Sequence, residues 1–248
     1  IIFMNNSNKI TVSIVSHGQF NLIIPLLESL KKYSINLAKI IITINIPETI
    51  EKLNWYKDFP ILWIYNKSIL GFGENHNNAF KNCTSKYFCI LNPDIRIKDN
   101  IFLNLIKIKE KEKINIFSPT MLDVNKNKSI NSRKFPNFFY LFSKIKKIPK
   151  RYFYKQNQDV LFTDWIGGMF MLVSNKDFKI LNGFDTDFFL YFEDVDICKR
   201  AKNIDFTVGE ARNVNVIHDA QRQSRSSLKH FLYYIKSYFM YLKKHFFQ

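Results

Sequence analysis

Apolar and polar positions alternate with two different periods along this chain. Lys9 to Ser16, Lys39 to Ile46 and Ile61 to Tyr65 are short runs rich in β-branched residues and read as buried strands. Between the first two, Leu22 to Leu30 repeats apolar residues at helical spacing, and Pro25 fits that helix only in its first turn. Gly71-Phe72-Gly73 forms a turn into a helix expected over Glu74 to Asn82. Tyr87 to Leu91 is a fourth strand, ending at Asn92-Pro93-Asp94. Strands alternating with helices predict a parallel sheet, and such sheets hold ligands beyond the carboxyl ends of their strands. The first half therefore reads as a nucleotide-binding α/β unit.

The second half continues with a helix over Asn100 to Glu112 and a strand over Ile114 to Ser118. The polar stretch Asn125 to Asn131 reads as a hairpin loop. Gly167-Gly168 precedes an apolar strand, Met169 to Val173, and a short helix, Asn175 to Asn182, stops at Gly183. The aromatic run Phe188 to Phe192 leads into a helix from Glu193 to Lys202. Phe206 to Val208 and Val214 to Ile217 are two short strands, and Ser224 to Phe247 is a long helix both aromatic and basic. Phe135 to Gln158 follows neither period and could lie over an active site.

Composition narrows the class. A chain of 248 residues that is 46% hydrophobic can bury a sizeable core in one domain, with or without an appendage. Its net charge of +16 favours phosphate-rich partners, whether nucleic acid, anionic membrane or nucleotide. No zinc spacing, RNP motif or helix-turn-helix pattern supports nucleic acid. Cys83, Cys89 and Cys198 have no CxxC spacing, and the opening Ile-Ile-Phe-Met is too short for a signal-peptide core. No apolar run approaches the roughly 18 residues of a membrane span. A cytoplasmic protein, soluble or peripheral to a membrane, is the expectation.

Three groups of residues carry candidate chemistry. Asp94, on a rigid turn at a strand end, offers a hard oxygen ligand to Mg²⁺ or Mn²⁺, although Asn-Pro-Asp reads equally well as a plain turn. Glu193-Asp194-Val195-Asp196 crowds three carboxylates into four residues, which raises at least one pKa and suits a general base. Helix capping is the competing reading for some of them. Gly71-Phe72-Gly73-Glu74-Asn75-His76-Asn77-Asn78 permits close approach and offers amide groups to a sugar or base, but it is not a P-loop. His218, alone after a strand, gains meaning only if it lies near Asp94.

In this order the pieces resemble family 2 glycosyltransferases of the GT-A fold, and among them bacterial rhamnosyltransferases of O-antigen and cell-wall assembly. The residues that carry the resemblance are Val15-Ser16-His17-Gly18, Gly71-Phe72-Gly73 with Asn75 and Asn78, Leu91-Asn92-Pro93-Asp94 and Arg133-Lys134-Phe135-Pro136. The strongest stretch runs from Asp164-Trp165 through Gly168, Asn182-Gly183-Phe184-Asp185 and Glu193-Asp194-Val195-Asp196 to Arg200. It implies an α/β fold with a Rossmann-like, mostly parallel sheet flanked by helices. The implied domain covers 1–220, with a nucleotide-sugar half over about 1–98 and an acceptor half over about 99–220. A C-terminal basic and aromatic helix over 221–248 follows.

The resemblance also implies roles. Ser16, His17, Asn45, Gly71, Phe72, Gly73, Asn75, Asn78, Asn92 and Asp94 would bind the donor. Asp94 and His218 would hold Mg²⁺ or Mn²⁺, with Asn92 standing where relatives carry the first acid of an Asp-x-Asp motif. Trp165, Gly167, Gly168 and Asp196 would line the acceptor site. Glu193 or Asp194 would be the base of an inverting transfer. The expected donor is a nucleotide sugar, dTDP-rhamnose first among them and a UDP-hexose as the alternative. The expected acceptor is a polyprenyl-diphosphate-linked saccharide at the inner face of the plasma membrane. There the basic C-terminal helix would meet anionic lipid, an ordinary core helix with a solvated basic face being the alternative.

Overall fold

The structure, a computed structural model, describes residues 9–34, 37–50, 59–138, 155–219 and 228–247. Most of the aperiodic middle segment, 139–154, and the expected start of the last helix at 224–227 lie outside the described residues. Four parallel strands form the first half of the sheet: β1 (Ile10–Ser16), β2 (Leu37–Ile44), β3 (Ile61–Tyr65) and β4 (Tyr87–Leu91). Their spatial order, β3-β2-β1-β4, reverses direction between β1 and β4. That reversal is the switch point at which open α/β sheets bind ligands.

The second half of the sheet is mixed. β11 (Phe170–Ser174) runs antiparallel between β4 and β6 (Ile116–Leu122). β12 (Val208–His218) pairs parallel with β6 and carries the two-residue β5 (Ile95–Arg96) on its other edge. Two short strands expected from the sequence are thus one long strand. A break in register between Glu210 and Asn215 interrupts its apolar pattern and made it look like two. Very short strands, β7 (Lys128–Ser129), β8 (Ser132–Arg133), β9 (Val160–Phe162) and β10 (Trp165–Ile166), complete the fold. β6 and β7 form the expected hairpin.

Helices cover both faces, as expected. Along β4, Tyr87, Cys89 and Leu91 enter one core with α1 (Phe20–Tyr33) and α3 (Ile101–Lys111). Phe88 and Ile90 enter the other, with α4 (Asn175–Ile180), α5 (Glu193–Asn203) and α6 (Leu228–Phe246). This is the period-2 alternation of a strand buried on both sides. Pro25 departs from its expected place. α1 begins at Phe20, whose amide is held by Glu48 Oε2 at 2.9 Å, so Pro25 sits one turn further in. The buried stripe Phe20, Ile23, Leu26, Leu27 and Leu30 outweighs a proline cost of about 3 kcal/mol. α6, expected as an appendage, buries Tyr238, Tyr241 and Leu242 in the second core.

Candidate active site

The carboxyl ends of β1, β2 and β3 carry the first group of polar residues. Ser16 is fully buried, and its carbonyl accepts from the Asn45 amide at 2.9 Å. Asn45 Nδ2 donates to Leu70 O and to His17 Nδ1, each at 3.0 Å. Its Oδ1 accepts from Leu70 N at 3.0 Å and from Asn66 Nδ2 at 2.8 Å. Asn66 Nδ2 also reaches Asn75 Oδ1 at 2.6 Å, and Asn75 Nδ2 donates to Gly71 O at 2.9 Å. Asn45 is therefore spent on shaping the loop between β3 and α2 (Phe72–Phe80). The partial burial of His17 lowers its pKa; Glu48 opposes this, while Lys229 and His230 on α6 add to it.

Asp94 and His218 meet at the reversal point. Ile95 pairs with His218 across β5 and β12, and Asp94 O accepts from the Asp219 amide at 2.9 Å. This sets His218 Nε2 3.1 Å from Asp94 Oδ2. The other oxygen, Asp94 Oδ1, is buried and has no hydrogen-bond partner among the described residues. A buried carboxylate oxygen without a donor is costly unless something cationic meets it. One carboxylate and one imidazole fit a divalent cation whose remaining ligands come from diphosphate and water, as is usual for Mg²⁺ with nucleotides. Among the described residues no group of three or more His, Cys, Asp or Glu side chains could hold a metal, so the pair would need those outside ligands.

The residues expected on the acceptor side lie one strand away. β11 runs antiparallel to β4, and the Asn92 amide donates to Met169 O at 2.9 Å. Gly167 and Gly168 thereby stand beside the Asn92–Asp94 turn. The Gly168 amide donates to Asp194 Oδ2 at 3.1 Å, and the Gly167 amide to Asn131 Oδ1 at 3.0 Å. A Cβ at Gly168 would lie 3.0 Å from the Phe72 ring, which would have to give by a few tenths of an ångström. At Gly71 a Cβ would lie 2.6 Å from Phe189 O, the same oxygen that accepts the Phe72 amide at 2.9 Å. A Cβ at Gly73 would lie 2.6 Å from Phe184 Cβ and in ordinary contact, 3.7 Å, with Glu193 Cβ. The glycines of the turn thus join the two halves of the site. Trp165 is buried behind it, with Nε1 donating to Lys134 O at 3.0 Å and the Arg133 guanidinium 5.2 Å over its ring.

Glu193 and Asp194 open α5, and burial raises both pKa values. For Glu193 the neighbouring Asp194 charge adds to the rise, and Oε2 finds no donor among the described residues. For Asp194 the amides of Gly168 and Val195, with the Arg133 charge, oppose it. The Gly168 and Val195 amides and the Arg133 charge thus favour the ionised form at Asp194, whereas the Asp194 charge disfavours ionisation of Glu193. The turn that presents them is strained. Tyr191 and Phe192 are both left-handed, each with φ of 68°, at a cost of about 1–3 kcal/mol per residue.

Two expected site residues are not brought to this group. Asp196 is fully buried, and both its oxygens are taken, Oδ2 by Arg200 at 2.7 Å and Oδ1 by Lys244 and His245 at 2.7 and 2.9 Å. These bonds outweigh the effect of burial and bring its pKa down to about 2, and they hold the carboxylate among three cationic side chains inside the fold, where no acceptor reaches it. Asn78 Oδ1 accepts from Lys81 at 2.7 Å on the exposed side of α2 and takes no part in the Asn45 network. Conversely, Asn66, Asn131 and the Tyr191–Phe192 turn carry parts of the site that sequence reasoning passed over. Asn131 stood in a polar loop with no distinguishing signal, whereas Arg133 lay within a quoted motif.

Comparison with known proteins fits this geometry. Residues 11–178 match the profile of Glycosyl transferase family 2. The chain is 32% identical over 250 residues to Rhamnosyltransferase WbbL of Escherichia coli (strain K12), covering 94% of this chain and 92% of that protein. Among solved structures, GalNAc-T7 with UDP, GalNAc and Mn²⁺ superposes with a TM-score of 0.73 at 13% identity, over 97% of this chain and 48% of that one. The mannosyltransferase PcManGT from Pyrobaculum calidifontis, in complex with GDP-Man and Mn²⁺, superposes with a TM-score of 0.60 at 13% identity, over 92% of this chain and 64% of that one. The chain thus spans about half of the first and under two thirds of the second, and these two likenesses bear out the expected GT-A fold. From the profile over most of its length and the near full-length relative, the chain belongs to glycosyltransferase family 2.

Proposed function

We propose that this glycosyltransferase transfers L-rhamnose from dTDP-rhamnose, with inversion, to a polyprenyl-diphosphate-linked saccharide in cell-surface polysaccharide synthesis. The near full-length identity with a rhamnosyltransferase carries this reading. The acceptor hydroxyl attacks the anomeric carbon while the bond from that carbon to the diphosphate oxygen breaks. Asp194 takes the hydroxyl proton. It is the carboxylate with two amide donors to hold it ionised, and it faces the Gly167–Gly168 wall. Glu193 keeps its own proton beside it. Such base catalysis contributes about 10²–10⁴-fold. Asp94 and His218 would hold Mg²⁺ or Mn²⁺, which would supply positive charge to the leaving diphosphate. The Asn45–Asn66–Asn75 network shapes the pocket for the nucleoside.

We further propose that the enzyme works against the inner membrane surface. On α6 the outward side is apolar: Leu228, Phe231, Leu232 and Phe239 are each more than half exposed. Lys229, Lys236 and Lys243, exposed and seven residues apart, line that ridge. A core helix with a solvated basic face would instead turn its apolar residues inward, so the arrangement favours anionic lipid. Among the described residues no helix is long and apolar enough to cross a membrane. Flotation with anionic liposomes at low and high salt tests this; no binding to anionic vesicles at low salt would refute it. The donor is tested by turnover across a panel of nucleotide sugars with Mn²⁺. Release of dTDP from dTDP-rhamnose well above release from UDP-hexoses is expected, and preference for a UDP-hexose would replace rhamnose in this reading.

A further inference from the structure

The left-handed turn before the carboxylates is held by a helix far away in sequence. α6 touches every residue from Phe188 to Phe192. Lys244 Nζ lies 5.7 Å over the Phe188 ring, and Tyr233 is 5.1 Å from the Phe189 ring. Ser237 Oγ donates to Leu190 O at 2.9 Å. Tyr191 Oη is 3.0 Å from His230 Nδ1. Phe192 sits among Tyr234, Tyr238 and Tyr241, with ring centroids 5.3 to 5.7 Å away. One turn into α5, Lys244 and His245 close on Asp196, and Lys244 also binds Asp185 at 2.5 Å. Arg200 completes the clasp, donating from its guanidinium to Leu181 O and Gly183 O.

We propose that α6 is a positioning element of the active site, its Lys244–His245–Asp196 clasp holding the Tyr191–Phe192 turn so that Asp194 faces the Gly167–Gly168 wall and Glu193 lies beside Gly73. A strained backbone persists only where its surroundings over-determine it, and here α6 supplies many of those surroundings beside the Gly71–Phe72 backbone. Lys244, His245 and Asp196 act through the turn rather than on the substrate. The proposal rests on the assignment of the base to the Glu193–Asp194 pair. It adds that the base is aimed by the C-terminal helix, whereas Asp94 and His218 are aimed by the sheet.

The test compares Lys244→Met, Lys244→Arg and Asp194→Asn with the parent. Arg200 and His245 remain on Asp196 in Lys244→Met, so the core of the clasp persists. Small misplacement of a catalytic group costs up to about 10²-fold, and a fall in kcat of about 10–100-fold is expected for Lys244→Met. The affinity for dTDP with Mn²⁺ should stay within about twofold, and Lys244→Arg should restore most of the kcat. Parent-like kcat in Lys244→Met would overturn the proposal. So would loss of nucleotide binding along with turnover, because the helix would then stabilise the whole fold rather than the base. If Asp194→Asn is inactive and Lys244→Met is not impaired, only the positioning role fails. If Asp194→Asn keeps parent kcat, the base assignment itself fails. Faster hydrogen exchange at the amides of residues 192–195 in Lys244→Met is the second readout, and unchanged exchange would count against the clasp.

Discussion

The two sides of this active site are built by different means. On the donor side, Asp94 and His218 are set by strand ends, and the Asn45 network closes on backbone atoms of neighbouring loops. On the acceptor side, Glu193 and Asp194 follow two left-handed residues and lie under a helix about 40 residues later in the chain. The sheet fixes one side through ladder hydrogen bonds. Packing and buried charge fix the other. Substitutions on the acceptor side should therefore separate turnover from donor binding, while those on the donor side should remove both.

The largest separation is expected at Asp194. Asp194→Asn keeps the size and the Gly168 contact but cannot accept the proton, so kcat should fall about 10²–10⁴-fold in a transfer assay. Unchanged kcat would move the base elsewhere. A smaller effect is expected where the two sides interlock. Gly71→Ala would press a methyl group against the Phe189 carbonyl at 2.6 Å, a backbone atom that cannot rotate away. Overpacking of this kind costs about 1–3 kcal/mol, and about 2–4 °C in Tm accompanies each kcal/mol at this chain length. Calorimetric scanning would show that drop; an unchanged Tm would mean that the turn is slack.

The smallest effect is a matter of pH. Burial raises the Glu193 pKa in the folded state above its ordinary value near 4.3. The folded protein therefore holds a proton that the unfolded chain has lost, and stability falls as pH rises from that value through the raised one. Glu193→Gln removes this penalty. It should raise Tm by a few degrees at pH 7 and by nothing at pH 4, since about 1 kcal/mol is at stake for a partly relieved buried acid. An equal change at both pH values would show that Glu193 is not the group that holds the proton.

Much of the donor side was legible in the sequence. β-branched runs, the Gly-Phe-Gly turn and the Asn-Pro-Asp turn each carry local signals, and β-strand alternation places them at one end of the sheet. Asp196 was misread. The resemblance put it in the acceptor site, but its fate was decided by Lys244 and His245, nearly 50 residues away. α1 was misjudged at Pro25 for a similar reason, since the apolar stripe that tolerates the proline is a property of the assembled core. The left-handed Tyr191–Phe192 turn had no local signal at all, because neither residue favours positive φ by itself. What the sequence conceals is the part that only long-range packing creates.

The most direct test of the two-sided site is the affinity of dTDP, measured by titration calorimetry with and without Mn²⁺, for Asp94→Asn and Asp194→Asn beside the parent. Parent and Asp194→Asn should bind dTDP alike and more tightly with Mn²⁺, while Asp94→Asn should lose the Mn²⁺-dependent part. Mn²⁺-dependent binding that survives in Asp94→Asn, or is lost in Asp194→Asn, would contradict the division of labour described for the two carboxylates.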